Sequence, residues 1–71
     1  MNTGQIESAF RDFASAAYAS ADKLDSIAVE ACKSQAIDQI ALLVMEGRAI
    51  RARVHRIANR LNITGDWRVP I

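Results

Sequence analysis

The sequence predicts an all-α fold: an antiparallel helical hairpin that dimerises into a four-helix bundle. Three observations lead there. Glycine and proline are confined to Gly4, Gly47, Gly65 and Pro70, with none between Gln5 and Glu46. Alanine, the best helix former, is abundant, and strand-like alternation is missing. Two apolar series follow one another along the chain, each stepping alternately by four and three residues, and they are out of phase.

The first series is Ile6, Phe10, Phe13, Ala17, Ser20, Leu24, Ile27 and Ala31, a heptad seam with one polar member. It predicts a helix over about 4–32. Asn2 or Thr3 can cap its start, and Gln5 stands three residues after Asn2, the spacing of a capping box. Glu7 is read as a first-turn acid that suits the helix dipole, and it forms an i,i+4 pair with Arg11.

The second series is Ala36, Ile40, Leu43, Gly47, Ile50, Val54, Ile57 and Leu61, and it predicts a helix over about 35–63. The phase slip at Cys32-Lys33-Ser34-Gln35 marks the turn, with Ser34 as a candidate N-cap for the second helix. A competing turn lies at 20–26, where Asp22 is an alternative cap. Gly65 suits the left-handed residue that stops the second helix, and Pro70 cannot continue it. A helix-turn-helix with its turn at Gly47 is disfavoured, because the heptad passes through Gly47 without a change of phase. Residues 1–71 form one hairpin domain with a short tail, 64–71.

Seventy-one residues bury only about 60% of the surface an unfolded chain exposes, so such a core is marginal without a staple. The chain holds one cysteine, Cys32, and one histidine, His55, so neither an intrachain disulfide nor a zinc cluster is expected. No metal or cofactor is expected. Self-association is the remaining staple. Off the second seam, Leu42, Met45, Ala49 and Ala52 recur at three, four and three, and 40–45 is apolar nearly all round. These four residues are the expected homodimer interface, with Gly47 and the alanines allowing close approach.

No catalytic function is expected. A Cys32–His55 nucleophile pair fails on geometry: in a hairpin turning near residue 34 the two stand about 20 residues, or roughly 30 Å, apart along the second helix. Cys32 reads as a small buried hydrophobe, and His55 as a solvated residue among arginines. No glycine-rich phosphate loop occurs. The start Met1-Asn2-Thr3-Gly4-Gln5 has no basic, apolar leader, and the longest apolar run, 40–45, is too short for a membrane span. A cytoplasmic protein is the expectation, with no membrane role.

The net charge of +1 hides an asymmetry. Residues 1–46 carry seven carboxylates against Arg11, Lys23 and Lys33, a balance of −4, whereas 47–71 carry six arginines against Asp66, a balance of +5. Arg48, Arg51, His55 and Asn59 recur on one helical face and Arg53, Arg56 and Arg60 on another. Such a basic helix fits a partner protein, and alternatively the phosphates of DNA or RNA. A purely structural role competes: basic residues suit a helix C-terminus, and Glu7 and Asp12 are expected to lie opposite and neutralise part of the charge. Trp67 is either a binding anchor or a cap on the open end near Phe10, and Tyr18 is a second candidate anchor.

The architecture resembles that of small dimeric helical-hairpin regulators from plasmids and phages, such as the Rop-type RNA-binding bundles, and no residue role is carried over from them. The expected function is a small non-enzymatic adaptor or inhibitor that binds a partner protein through Arg48, Arg51, Arg53, Arg56, Arg60, Tyr18 and Trp67. The alternative is a nucleic-acid-binding regulator using the same arginines.

Overall fold

The computed structural model describes residues 2–63. Two helices account for nearly all of them: α1, Thr3–Lys33, and α2, Ile37–Arg60, packed against each other as an antiparallel hairpin. Among the described residues there is no strand, and no helix is long and apolar enough to cross a membrane. The turn falls at 34–36, not at 20–26, and α2 runs unbroken through Gly47. Glu7–Arg11 forms at 3.2 Å, with Glu7 one residue past the first turn.

The expected capping box starts α1. The Gln5 amide donates to Asn2 Oδ1 (2.8 Å), and the Asn2 amide donates to Gln5 Oε1 (2.9 Å). Two donors that a helix start leaves unpaired are thereby satisfied.

Both helices end in the same device, and it differs from the expectation. Ser34 does not cap α2; it is the C-cap of α1, and its hydroxyl donates to the Ala31 carbonyl. Gln35 then turns left-handed (φ 58°), so that Gln35 N–H reaches the Cys32 carbonyl and Ala36 N–H reaches the Ala31 carbonyl. That pair of bonds is a Schellman motif. The C-terminus of α2 repeats it: Asn62 is left-handed (φ 57°), and Asn62 and Ile63 donate to the Asn59 and Ala58 carbonyls. Asn62, not Gly65, therefore stops α2, and Gly65 lies outside the described residues. The start of α2 has Ala36 at its cap with no side-chain bond, and Asp38 supplies a first-turn acid.

The seam of α2 is close to the expected one, with Gly47 and Val54 buried, Ile40, Leu43, Ile50 and Ile57 half-buried, and Ala58 added beside them; Leu61 is exposed. The seam of α1 is only half as expected. Phe10 is buried and Ala17, Leu24 and Ala31 are half-buried, but Ile6, Phe13, Ser20 and Ile27 are exposed. Their places are taken by Ala14, Ala21 and Ala28, all buried. Phe13 and Ile27 precede the buried Ala14 and Ala28 by one residue, a rotation of about 100° on a helix.

Proximity explains the choice. A Cβ added to Gly47 would stand 3.7 Å from the Ala21 carbonyl oxygen, in ordinary van der Waals contact, so the helices lie about one methyl group apart there. Only small side chains fit between helices that close, and the alanines supply them. Among the buried side chains only Phe10 and Val54 are larger than alanine. Eight larger apolar groups are exposed: Ile6, Phe13, Ile27, Val29, Ile37, Leu42, Met45 and Leu61.

Candidate interaction surfaces

The hairpin presents two flanks and the back of α2, and each has a different chemistry. One flank follows from Arg11, Tyr18 and Asp25, each one residue after a seam position of α1. Antiparallel packing brings it beside the matching row of α2, which holds Arg51. Arg51 Nη2 donates to Asp25 Oδ2 (2.7 Å) and to Asp22 Oδ1 (2.8 Å). These hydrogen bonds, that to Asp25 foremost, raise the guanidinium pKa above its ordinary value. Further along, Tyr18 Oη and His55 Nε2 share a hydrogen bond (3.0 Å). This flank ties the helices to each other.

The opposite flank carries the row Ile6, Phe13, Ser20 and Ile27 on α1 and the row Gln39, Glu46, Arg53 and Arg60 on α2. Phe13 leans on Phe10, with ring centroids 6.1 Å apart and planes at 49°. Phe13 is nonetheless 42% exposed. Phe10 and Ala14 pack with Val54 and Ala58, and that register sets Arg53 and Arg60 on either side of Phe13 in height. At the open end, a cleft of about 290 Å³ lined by Thr3, Ile6, Glu7, Leu61, Asn62 and Ile63 continues the apolar row. Among the described residues no carboxylate lies within ion-pair distance of Arg48, Arg53, Arg56 or Arg60.

The back of α2 is the third surface. Leu42, Met45, Ala49 and Ala52 are all exposed there, Leu42 at 58% and Met45 at 67%. Segment 40–45 is thus covered on one side only: Ile40, Leu43 and Val44 are half-buried against α1, and Ala41, Leu42 and Met45 face outward.

The structure sorts the expected binding residues. Arg48, Arg53, Arg56 and Arg60 are exposed; Arg51 is half-buried and held by Asp22 and Asp25, so it joins the hairpin instead of a free basic face. Neutralisation of the basic helix therefore comes from these two aspartates, while Glu7 pairs with Arg11 on its own helix. Tyr18 is half-buried and bonded to His55. Trp67 lies outside the described residues. Cys32 is exposed, not buried, and sits at the turn, about 25 Å in helical rise from the level of His55.

The sequence reading missed Ile6, Phe13 and Ile27 as surface groups because it placed them in the seam. The signal that separates them is the ladder Ala14, Ala21, Ala28 at sevens, matched by a glycine in the partner helix.

These surfaces define a class: a two-helix hairpin closed by polar bonds on one flank, with apolar rows left open on the other flank and on the back. No protein-family model, no curated protein and no solved structure matches the chain.

Proposed function

We propose that the chain is a non-enzymatic adaptor or inhibitor that works as a homodimer and holds a partner protein along its open flank. The observation that carries this reading is the placement of exposed Ile6 and Phe13 at the height of Arg53 and Arg60, with exposed Ile27 continuing the apolar row at the height of Gln39 and Glu46. An apolar row edged by arginines along its Ile6–Phe13 half suits an amphipathic helix with acids beside that half of its apolar stripe. Aromatic and arginine side chains are also the types that most often anchor an interface. The dimer would cover Leu42, Met45, Ala49 and Ala52, apolar groups the hairpin itself leaves in water. The exposed thiol of Cys32 is compatible with a reducing compartment such as the cytoplasm.

The nucleic-acid alternative draws less support. With Arg51 held by aspartates, the remaining arginines are spread between the back and both sides of α2, and exposed Ala49 and Ala52 lie among them. The test is capture from cell extract on the immobilised chain, with and without nuclease, beside the variants Phe13→Asp and Arg53→Glu/Arg60→Glu. A protein retained after nuclease and lost with both variants is the expected result. Loss on nuclease treatment, or retention by both variants, would overturn the open-flank reading.

A further inference from the structure

We infer that two copies pair through the backs of α2, antiparallel, about a two-fold axis that passes beside residue 47. This rests on the homodimer proposed above and specifies its geometry. The back of α2 is a continuous stripe, Asp38, Leu42, Met45, Ala49, Ala52 and Arg56, stepping by four and three along the side turned away from α1. All six are exposed. The stripe is polar in a particular sense. Its first half is acidic and bulky, and its second half is small and basic.

A two-fold interface is self-complementary: where one residue meets a second, the second meets the first. With the axis beside residue 47, Leu42 meets Ala52 of the second copy and Met45 meets Ala49. Each large side chain therefore enters the space above a small one, on both sides of the axis. The same operation sets Asp38 against Arg56 of the second copy, twice per dimer. One register thus satisfies size and charge together.

The neighbouring arrangements satisfy neither. Sliding one copy by a heptad in one direction sets Leu42 against Met45 and carries Arg56 past the start of the facing helix. Sliding it the other way sets Met45 against Arg56 and leaves Ala49 facing Ala52. A parallel pairing stacks Asp38 on Asp38 and Arg56 on Arg56, which like-charge repulsion opposes. In the favoured register Glu46 and Arg48 approach their own counterparts on opposite rims. Both are exposed, so solvent and salt screen that repulsion.

Close fit of a large half against a small half also leaves the open flank clear. The dimer occupies the back of α2, and Ile6, Phe13 and Ile27 remain free on each hairpin.

The test is sedimentation equilibrium of the full chain and of charge-swapped variants, with helicity checked by circular dichroism. Wild type should be a dimer. Asp38→Arg and Arg56→Asp should each weaken self-association by about tenfold or more, because each creates two like-charged contacts per dimer. The double variant should recover most of the loss. An equimolar mixture of the two single variants should form a heterodimer, since an all-arginine stripe end then faces an all-aspartate one. A wild-type monomer would overturn the dimer itself. A wild-type dimer indifferent to the single swaps, or one that the double variant fails to restore, would overturn this pairing while leaving the dimer standing.

Discussion

The two flanks of the hairpin are cut from the same pair of helices and end up chemically opposite. On one, Arg51 grips Asp22 and Asp25, and Tyr18 meets His55. On the other, Ile6 and Phe13 stand exposed at the height of Arg53 and Arg60, and Ile27 stands exposed further along, at the height of Gln39 and Glu46. A partner arriving at the first must compete with bonds already made. A partner arriving at the second displaces water from apolar surface, which is favourable, and finds guanidinium groups that no described carboxylate holds. The contrast shows that exposed charge alone does not mark a binding surface in this chain. What distinguishes the open flank is that its apolar row was left out of the seam by the close approach of the helices.

That approach can be broken directly. Ala21→Leu adds bulk at a fully buried position where α1 faces Gly47 with room for about one methyl group, and overpacking at such a site costs about 2 kcal/mol. Ala16→Leu adds the same bulk at an exposed position of the same helix and should change stability by less than about 0.5 kcal/mol. Urea denaturation at one fixed protein concentration checks both. Equal effects would mean that the alanine ladder is not the contact surface.

The same ladder explains which parts of the fold could be read from sequence. Helix type, the capping box at Asn2 and Gln5, the turn near residue 34 and most of the α2 seam follow from local rules: propensity, spacing and a phase slip. The α1 seam was legible only in the half formed by Phe10, Ala17, Leu24 and Ala31. Two rows one residue apart, Ile6–Phe13–Ile27 and Ala14–Ala21–Ala28, complete it equally well in spacing. Ranking by hydrophobicity selects the bulky row. Packing selects the small one, because the facing element is Gly47 and smallness counts there. The helix stops were misread for a related reason. Gln35 and Asn62 take left-handed conformations that glycine would take at lower cost, and Gly65 attracted the assignment. The basic helix was legible as a pattern, but the sequence did not say that Arg51 is spoken for. That depends on the register that brings α2 beside Asp22 and Asp25, which only the packed hairpin fixes.

The closed flank offers a smaller effect. Arg51→Ala should destabilise the hairpin by about 1 kcal/mol or less, since both aspartates are well exposed and exposed ion pairs contribute little. The loss should shrink in concentrated salt. Because its partners raise the Arg51 pKa, the folded state holds that proton more firmly than the unfolded chain does. The contribution is therefore fully present through neutral and mildly alkaline pH and would fade only in strong alkali. Arg53→Ala, on the open flank, should leave stability unchanged. Thermal melts at low and high salt compare the two. A salt-sensitive loss at Arg53 that equals the one at Arg51 would erase the distinction between the flanks.

The smallest expected effect compares the two helix ends, which share one motif with different residues in it. Both Gln35 and Asn62 sit near φ +57°, where a Cβ is crowded by the backbone and glycine is not. Asparagine tolerates that region better than glutamine, because its short side chain can bond to the local backbone. Gln35→Gly should therefore stabilise the hairpin by about 0.5–1 kcal/mol, the relief of strain exceeding the entropy that glycine adds to the unfolded chain. Asn62→Gly should gain less, within about 0.3 kcal/mol of zero. The turn also joins the two helices, so relief at Gln35 acts on both, whereas Asn62 terminates only α2. Melting temperatures of the two variants decide the order. If Asn62→Gly stabilised more than Gln35→Gly, side-chain tolerance of the left-handed conformation would not be what sets the cost of these stops.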